Sequence, residues 1–153
     1  MYKNETTMNK WIRFNLDGLI FKMKNEGYNS DSDWLKTSWR LTFKDIISYK
    51  VDRCEVFTKE CIDLIIKYAT RLLDGKLRQK TDFDALEPDF SFLFVPKKIL
   101  YDDITKEPFI ANLYMEIRVH LWHNGLTENF ISMTLWERDI IKFRDYLLDV
   151  KKE

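Results

Sequence analysis

The stretch Ala111-Asn112-Leu113-Tyr114-Met115-Glu116-Ile117-Arg118-Val119-His120-Leu121 decides the fold. Every odd position is apolar: Ala111, Leu113, Met115, Ile117, Val119 and Leu121. Most even positions are polar or amphipathic: Asn112, Tyr114, Glu116, Arg118 and His120. Successive side chains on a strand point to opposite faces, so this alternation predicts a strand with one buried and one wet face. Asn124-Gly125 follows, a pair suited to reversing the chain, and Ile131, Met133 and Leu135 resume the alternation. Ile140, Phe143, Leu147 and Val150 then recur at helical spacing, with Lys142, Arg144, Asp145 and Asp149 on the other side. From Phe109 to Val150 the chain reads as a long hairpin and a helix.

The register of that hairpin follows from its faces. A two-residue Asn124-Gly125 turn would place Ile131 and Met133 on the face of Arg118 and Glu116. A one-residue slip sends a whole strand's side chains to the other side. A three-residue loop, His123-Asn124-Gly125, closes instead on Trp122 and Leu126. It pairs Ile117 with Ile131, Met115 with Met133 and Leu113 with Leu135, and it sets His120 opposite Glu128. Gly125 is then the left-handed residue of a bulge. The second register is the expectation.

Working outward, residues 1–9 are polar and read as a flexible tail ahead of one α+β domain over 10–153. Trp11 to Leu16 and Leu19 to Met23 alternate on either side of Asp17-Gly18, which predicts a first hairpin. Lys24 to Asp33 reads as a loop and Ser38 to Phe43 as a third strand. Ile47, Tyr49 and Val51 share one parity while Cys54 and Val56 share the other, so a bulge near Asp52-Arg53 would restore one buried face. Thr58 is placed to cap a helix bearing Ile62, Ile65, Ala69 and Leu72 in a stripe, with Glu60 in its first turn and Gly75 at its end. Lys76 to Glu87 reads as loop. Asp89 to Val95 reads as a strand with Phe90, Phe92 and Phe94 on one face, bracketed by Pro88 and Pro96. Lys97 to Pro108 is again loop. The order β-β-β-β-α-β-β-β-α, with no βαβ alternation, predicts an α+β fold. It should be a single, mainly antiparallel sheet of about six to seven strands with two helices on one face.

Twenty-five Lys and Arg balance twenty-five Asp and Glu, so the total charge lends no support to nucleic-acid binding. No apolar run is long enough to span a bilayer, and Met1 to Lys10 lacks the apolar core of a secretion signal. A cytoplasmic location is expected, where Cys54 and Cys61 read as thiols rather than a disulfide.

The motifs of catalysis are missing. No nucleophile elbow, phosphate-binding loop, dinucleotide fingerprint, zinc-protease motif or Cys-x-x-Cys is present. His120 and His123 point to opposite faces of a strand and have no third ligand close in sequence, so they read as surface histidines. Asp31 with Asp33, and Asp82 with Asp84, lack the glycine and distal Glu of a calcium loop and read as solvated carboxylates. No catalytic residue, metal or cofactor is expected. Two acidic loops, Asp82 to Asp89 and Asp102 to Glu107, could steer a basic partner. The nominally wet face of the hairpin carries Tyr114, Trp122, Phe130 and Trp136, which marks either a binding surface or a surface covered by another segment.

Several segments together resemble a family. They are Asp31-Ser32-Asp33-Trp34-Leu35 running into Trp39-Arg40-Leu41-Thr42-Phe43, and the helix from Phe57-Thr58-Lys59-Glu60 to Leu73-Asp74-Gly75. Leu86-Glu87-Pro88-Asp89-Phe90-Ser91-Phe92, Ile131-Ser132-Met133-Thr134-Leu135 and the helix Ile140 to Leu148 complete the set. Over roughly residues 30–150 the chain is similar to the WapI-type immunity proteins that accompany wall-associated polymorphic toxins. The resemblance implies a non-enzymatic protein that binds and neutralises a cognate toxin domain. Tyr114, Arg118, Trp122 and Phe130 are the candidate anchors for such a partner, with His120, Asp82 and Asp84 beside them. The alternatives are a small-ligand binder or small enzyme with a pocket between sheet and helices and, ranked last, an RNA-binding sheet, which would need more Lys and Arg around Tyr114 and Phe130.

Overall fold

The computed structural model describes residues 9–28, 32–85, 87 and 89–152. The expected tail falls outside these residues except for Asn9, as do Asp31 and Pro88.

Strands β1 (Trp11–Leu16), β2 (Leu19–Tyr28), β3 (Trp34–Phe43) and β4 (Ile47–Thr58) form an antiparallel sheet in sequence order. Asp17 and Gly18 take φ of 53° and 94° and close Leu16 onto Leu19, the two-residue turn that the sequence predicts. The strand β2 runs to Tyr28, through a segment expected to be loop. The reason is Asn25, which continues the inward parity of Phe21 and Met23 at 0% exposure. Its side-chain oxygen accepts from Oγ1 of Thr37 at 2.9 Å, and its backbone N–H and Nδ2 both donate to the Tyr146 hydroxyl at 3.2 Å. A buried amide with these partners fits inside a core that an unpaired one would disrupt. In β4 the bulge falls where expected. Thr37 pairs with Cys54 and Trp39 with Val51, which leaves Asp52 and Arg53 opposite Ser38 alone. Arg53 takes a left-handed φ of 50°, and its N–H donates to Oγ of Ser38 at 2.9 Å.

Helix α1 (Lys59–Leu73) starts on Thr58, whose Oγ1 accepts from the Cys61 N–H at 3.2 Å. It ends in a left-handed Gly75 (φ 69°), with N–H bonds from Gly75 to Leu72 O and from Lys76 to Arg71 O. That is the bonding pattern of a glycine-terminated helix.

Strand β5 (Thr81–Asp84) lies in the expected loop Lys76 to Glu87. It has only four residues, too few for alternation to register, although Phe83 packs on Tyr68 and Phe92. Next come β6 (Phe90–Val95), β7 (Lys98–Tyr101), β8 (Pro108–Ala111), β9 (Tyr114–Trp122), β10 (Leu126–Leu135) and helix α2 (Glu137–Lys152). The second sheet runs β10-β9-β6-β5, and β7 with β8 forms a separate two-stranded ribbon. Nearly all of the ribbon is exposed, so it carries no inside-outside pattern, and its sequence reads as loop. The deciding stretch is also divided: Ala111 ends β8, and the continuous strand begins at Tyr114.

The single expected sheet is therefore three. Alternation reports which face of each strand is buried but not which strands share a ladder. Both four-stranded sheets turn an apolar face to a common core. Phe90 joins them: its ring lies 6.4 Å from Phe21, 4.9 Å from Trp39, 5.3 Å from Phe57 and 6.3 Å from Phe92. The helices pack against each other, α1 reaching β4 and β6 and α2 reaching β1, β9 and β10. Each helix thus touches both sheets. Phe143 of α2 meets Phe14 at 6.2 Å, and Tyr68 of α1 meets Phe94 at 5.5 Å.

The long hairpin closes through three residues, with Trp122 opposite Leu126 and positive φ at both Asn124 and Gly125. Its ladder then slips between Leu126 and Phe130. Ile131 pairs with Val119, Met133 with Ile117 and Leu135 with Met115, each two residues from the expected partner. Because the shift is an even number, Met133 and Leu135 still face inward. Oγ1 of Thr127 donates to Leu121 O at 2.7 Å and accepts from the Asn129 N–H at 3.2 Å, which holds the irregular segment. His120 consequently faces Phe130, not Glu128.

Candidate functional site

With Phe90, Phe92 and Phe94 turned inward, the pleat turns Ser91 and Leu93 to the outer face of the second sheet. Ladder registers place Asp84, Ser91, Arg118 and Ser132 in one cross-strand row and Asp82, Leu93, Glu116 and Thr134 in the next. His120 and Phe130 form a third pair. Tyr114 and Trp122 begin and end the same face of β9. Thus Asp82 and Asp84, read from sequence as part of a loop, stand on a strand of the same sheet as Tyr114, Arg118, His120, Trp122 and Phe130.

The aromatic residues on this face are not covered. Trp122 is 44% exposed, Phe130 47% and Trp136 53%. Tyr114 is half-buried against Trp136, with ring centroids 5.7 Å apart. The Arg118 guanidinium lies over the Phe130 ring at 5.3 Å, and its Nε donates to Oε1 of Glu116 at 3.4 Å. Glu116 also accepts from the Ser132 hydroxyl. Asp82, Asp84, Ser91 and Arg118 border a shallow pocket of about 260 Å³. The His120 ring lies 5.5 Å from Phe130 at a tilt of 54°, and its Nε2 is 2.9 Å from Oγ of Ser91. The charged and aromatic groups of this face are held by one another.

A second feature adjoins this face, and sequence reading did not single it out. The Trp122 N–H donates to the Tyr49 hydroxyl at 3.3 Å, and the His120 N–H donates to Asp89 O at 2.9 Å. These bonds bring β4 and the start of β6 to the end of β9. The open cleft between them measures about 610 Å³, with Tyr49, Cys54, Glu87, Asp89 and Trp122 in its lining. The Trp122 indole N–H donates to Oδ1 of Asp89 at 2.6 Å. Burial holds the Asp89 carboxyl above the usual carboxylate range, against the opposing pull of the indole. Burial, and then the charges of Asp89, Glu87 and Glu55, push the Cys54 thiol up. A thiol held in its neutral form is a poor nucleophile. Only pairing across sheets joins Tyr49 to Trp122, and no local pattern in the sequence carries that information.

The histidine pair does not converge with other ligands: among the described residues no three His, Cys, Asp or Glu side chains stand close enough to hold a metal ion. Asp33 faces Lys59 at 3.6 Å. No described helix is long and apolar enough to cross a membrane. What the outer face offers is aromatic area, one guanidinium and flanking carboxylates. No protein-family model matches the chain, and neither does any curated protein.

Proposed function

We propose that this chain is an immunity-type protein, which neutralises a cognate toxin domain by protein contact through the outer face of the sheet β10-β9-β6-β5. The observation that carries the reading is the half-exposed Trp122 and Phe130, with the Arg118 guanidinium already over the Phe130 ring. Tight interfaces draw their affinity from a few aromatic and Arg anchors, and anchors fixed in advance lose little entropy on binding. Asp82 and Asp84, exposed on the neighbouring edge strand, add negative charge that would orient a basic partner. The resemblance to WapI-type immunity proteins supports the same reading.

A ligand pocket between sheet and helices is disfavoured by Phe90, Phe92 and Phe94, all buried where that pocket would lie. An RNA-binding sheet is disfavoured by Asp82, Asp84 and Glu116 around Arg118, since a phosphate backbone needs the opposite sign. The test is co-expression with the toxin domain encoded beside this chain. The two proteins should co-purify and growth should be restored. Failure of both overturns the proposal.

A further inference from the structure

We propose that the cleft between β4 and the start of β6 is a binding site for a guanidinium group, with Tyr49 and Trp122 as aromatic walls and Asp89 and Glu87 as its anions. The inference goes beyond toxin binding and stands on the cleft alone.

The first argument is charge. Glu55, Glu87 and Asp89 border the cleft against a single cation, Arg53, whose Nε is engaged by Glu26 at 3.2 Å. Neither Glu87 nor Asp89 has an ion-pair partner among the described residues. The second argument is burial. Asp89 is 3% exposed and lines the cleft, and the side-chain donor that reaches it among the described residues is the Trp122 indole. An ionised carboxylate accepts about four hydrogen bonds, so beside the indole and a backbone N–H this one retains capacity for a donor arriving from the cleft. A buried carboxylate without a cation is costly to keep, and a cation entering the cleft would relieve that cost.

The third argument is shape and surface. The cleft holds about 610 Å³, ample for an arginine side chain, and apolar surface from Val51 and Cys54 lies beside the two aromatic rings. A guanidinium is planar and weakly hydrated. It can stack on an aromatic ring while its in-plane N–H groups reach carboxylates. An ammonium ion is more strongly hydrated and lacks that planar fork, so it gains less from the same walls. Burial first, and then the negative charge of Asp89, raises both the thiol of Cys54 and the phenol of Tyr49.

The experiment follows the Trp122 indole N–H signal by NMR, assigned with Trp122→Phe, while the protein is titrated with Nα-acetyl-arginine N-methylamide. The neutral isostere Nα-acetyl-citrulline N-methylamide is the control, and free arginine is the third probe. The arginine amide should move the Trp122 signal saturably and bind about tenfold more tightly than the citrulline amide, as expected for one charge-assisted contact. Glu87→Gln, an exposed and fold-neutral change, should weaken it about threefold, and Asp89→Asn should weaken it further. Tighter binding of the blocked amide than of free arginine assigns the site to a side chain of a partner protein. Equal or tighter binding of free arginine assigns it to a small molecule. Absence of a saturable shift, or citrulline binding as well as arginine, overturns the inference. Toxin co-purification is read separately, so either reading can fail without the other.

Discussion

The indole N–H of Trp122 donates to Oδ1 of Asp89 at 2.6 Å, and this bond joins the exposed aromatic face of β9 to a buried carboxylate. Burial raises the carboxyl of Asp89 above its ordinary value of 3.8. The sign follows from linkage: the folded state prefers the protonated form, so ionisation costs stability. That cost is absent below the ordinary value, grows as pH rises through it, and is complete above the raised folded value. Asp89→Asn keeps an oxygen for the indole but removes the charge. The variant should melt higher than the wild type near neutral pH, and the two should converge on acidification below that ordinary value. Thermal melts across that range check this, and parallel curves would mean that burial is not what shifts the group.

The anchors proposed for the outer face should separate binding from stability. Phe130→Ala removes a side chain that is close to half exposed and should move the melting temperature little, whereas Trp122→Ala also strips the buried Asp89 carboxyl of its indole donor and should lower it. Each should nevertheless lower affinity for the toxin domain by about 2 kcal/mol or more. Arg118→Lys keeps the charge but replaces the guanidinium that lies over the Phe130 ring at 5.3 Å by a more strongly hydrated ammonium, and should also bind more weakly. Calorimetric titration beside thermal melts distinguishes the two effects.

The Tyr146 hydroxyl accepts from both nitrogens of Asn25 and donates to Lys10 O, each at 3.2 Å, which ties α2 to the first sheet. Tyr146→Phe leaves the buried Asn25 short of partners and should cost about 1–3 kcal/mol in urea unfolding. Replacing Asn25 by Val as well should cost less than the sum of the two single changes, because the apolar pair leaves fewer polar groups stranded.

Which parts of this molecule could be read from its sequence depends on burial. Where one face is dry and the other wet, as in Met115 to Leu121 or Ile12 to Leu16, the period of two is plain and the strands are found. Thr58 and Gly75 marked the first helix because capping chemistry is local. Lys98 to Tyr101 and Pro108 to Ala111 went unread because almost none of these residues is buried, so no pattern distinguishes strand from loop. The division into separate sheets also lay beyond reach, since alternation is silent about partners. The outer-face residues were legible as aromatics at wet positions. The cleft was not, because Tyr49 and Trp122 meet only through the fold.

The irregular return strand of the long hairpin gives the last test. A three-residue loop alone would pair Ile117 with Ile131, yet Met133 occupies that place and Ile131 lies two residues further along, opposite Val119. The slack is held by Thr127, whose hydroxyl donates to Leu121 O at 2.7 Å and accepts from the Asn129 N–H at 3.2 Å. Valine has the same shape without the hydroxyl, so Thr127→Val should cost about 1 kcal/mol and leave the inward faces of Met133 and Leu135 unchanged. Its sharper consequence is local. The Asn129 amide should exchange with solvent faster, while amides at Met115 and Ile117 hold their protection. Phe130 follows directly on this segment and carries the Arg118 guanidinium over its ring, so affinity for the toxin domain should fall as well. Unchanged exchange at Asn129 would show that the backbone alone sets the bulge.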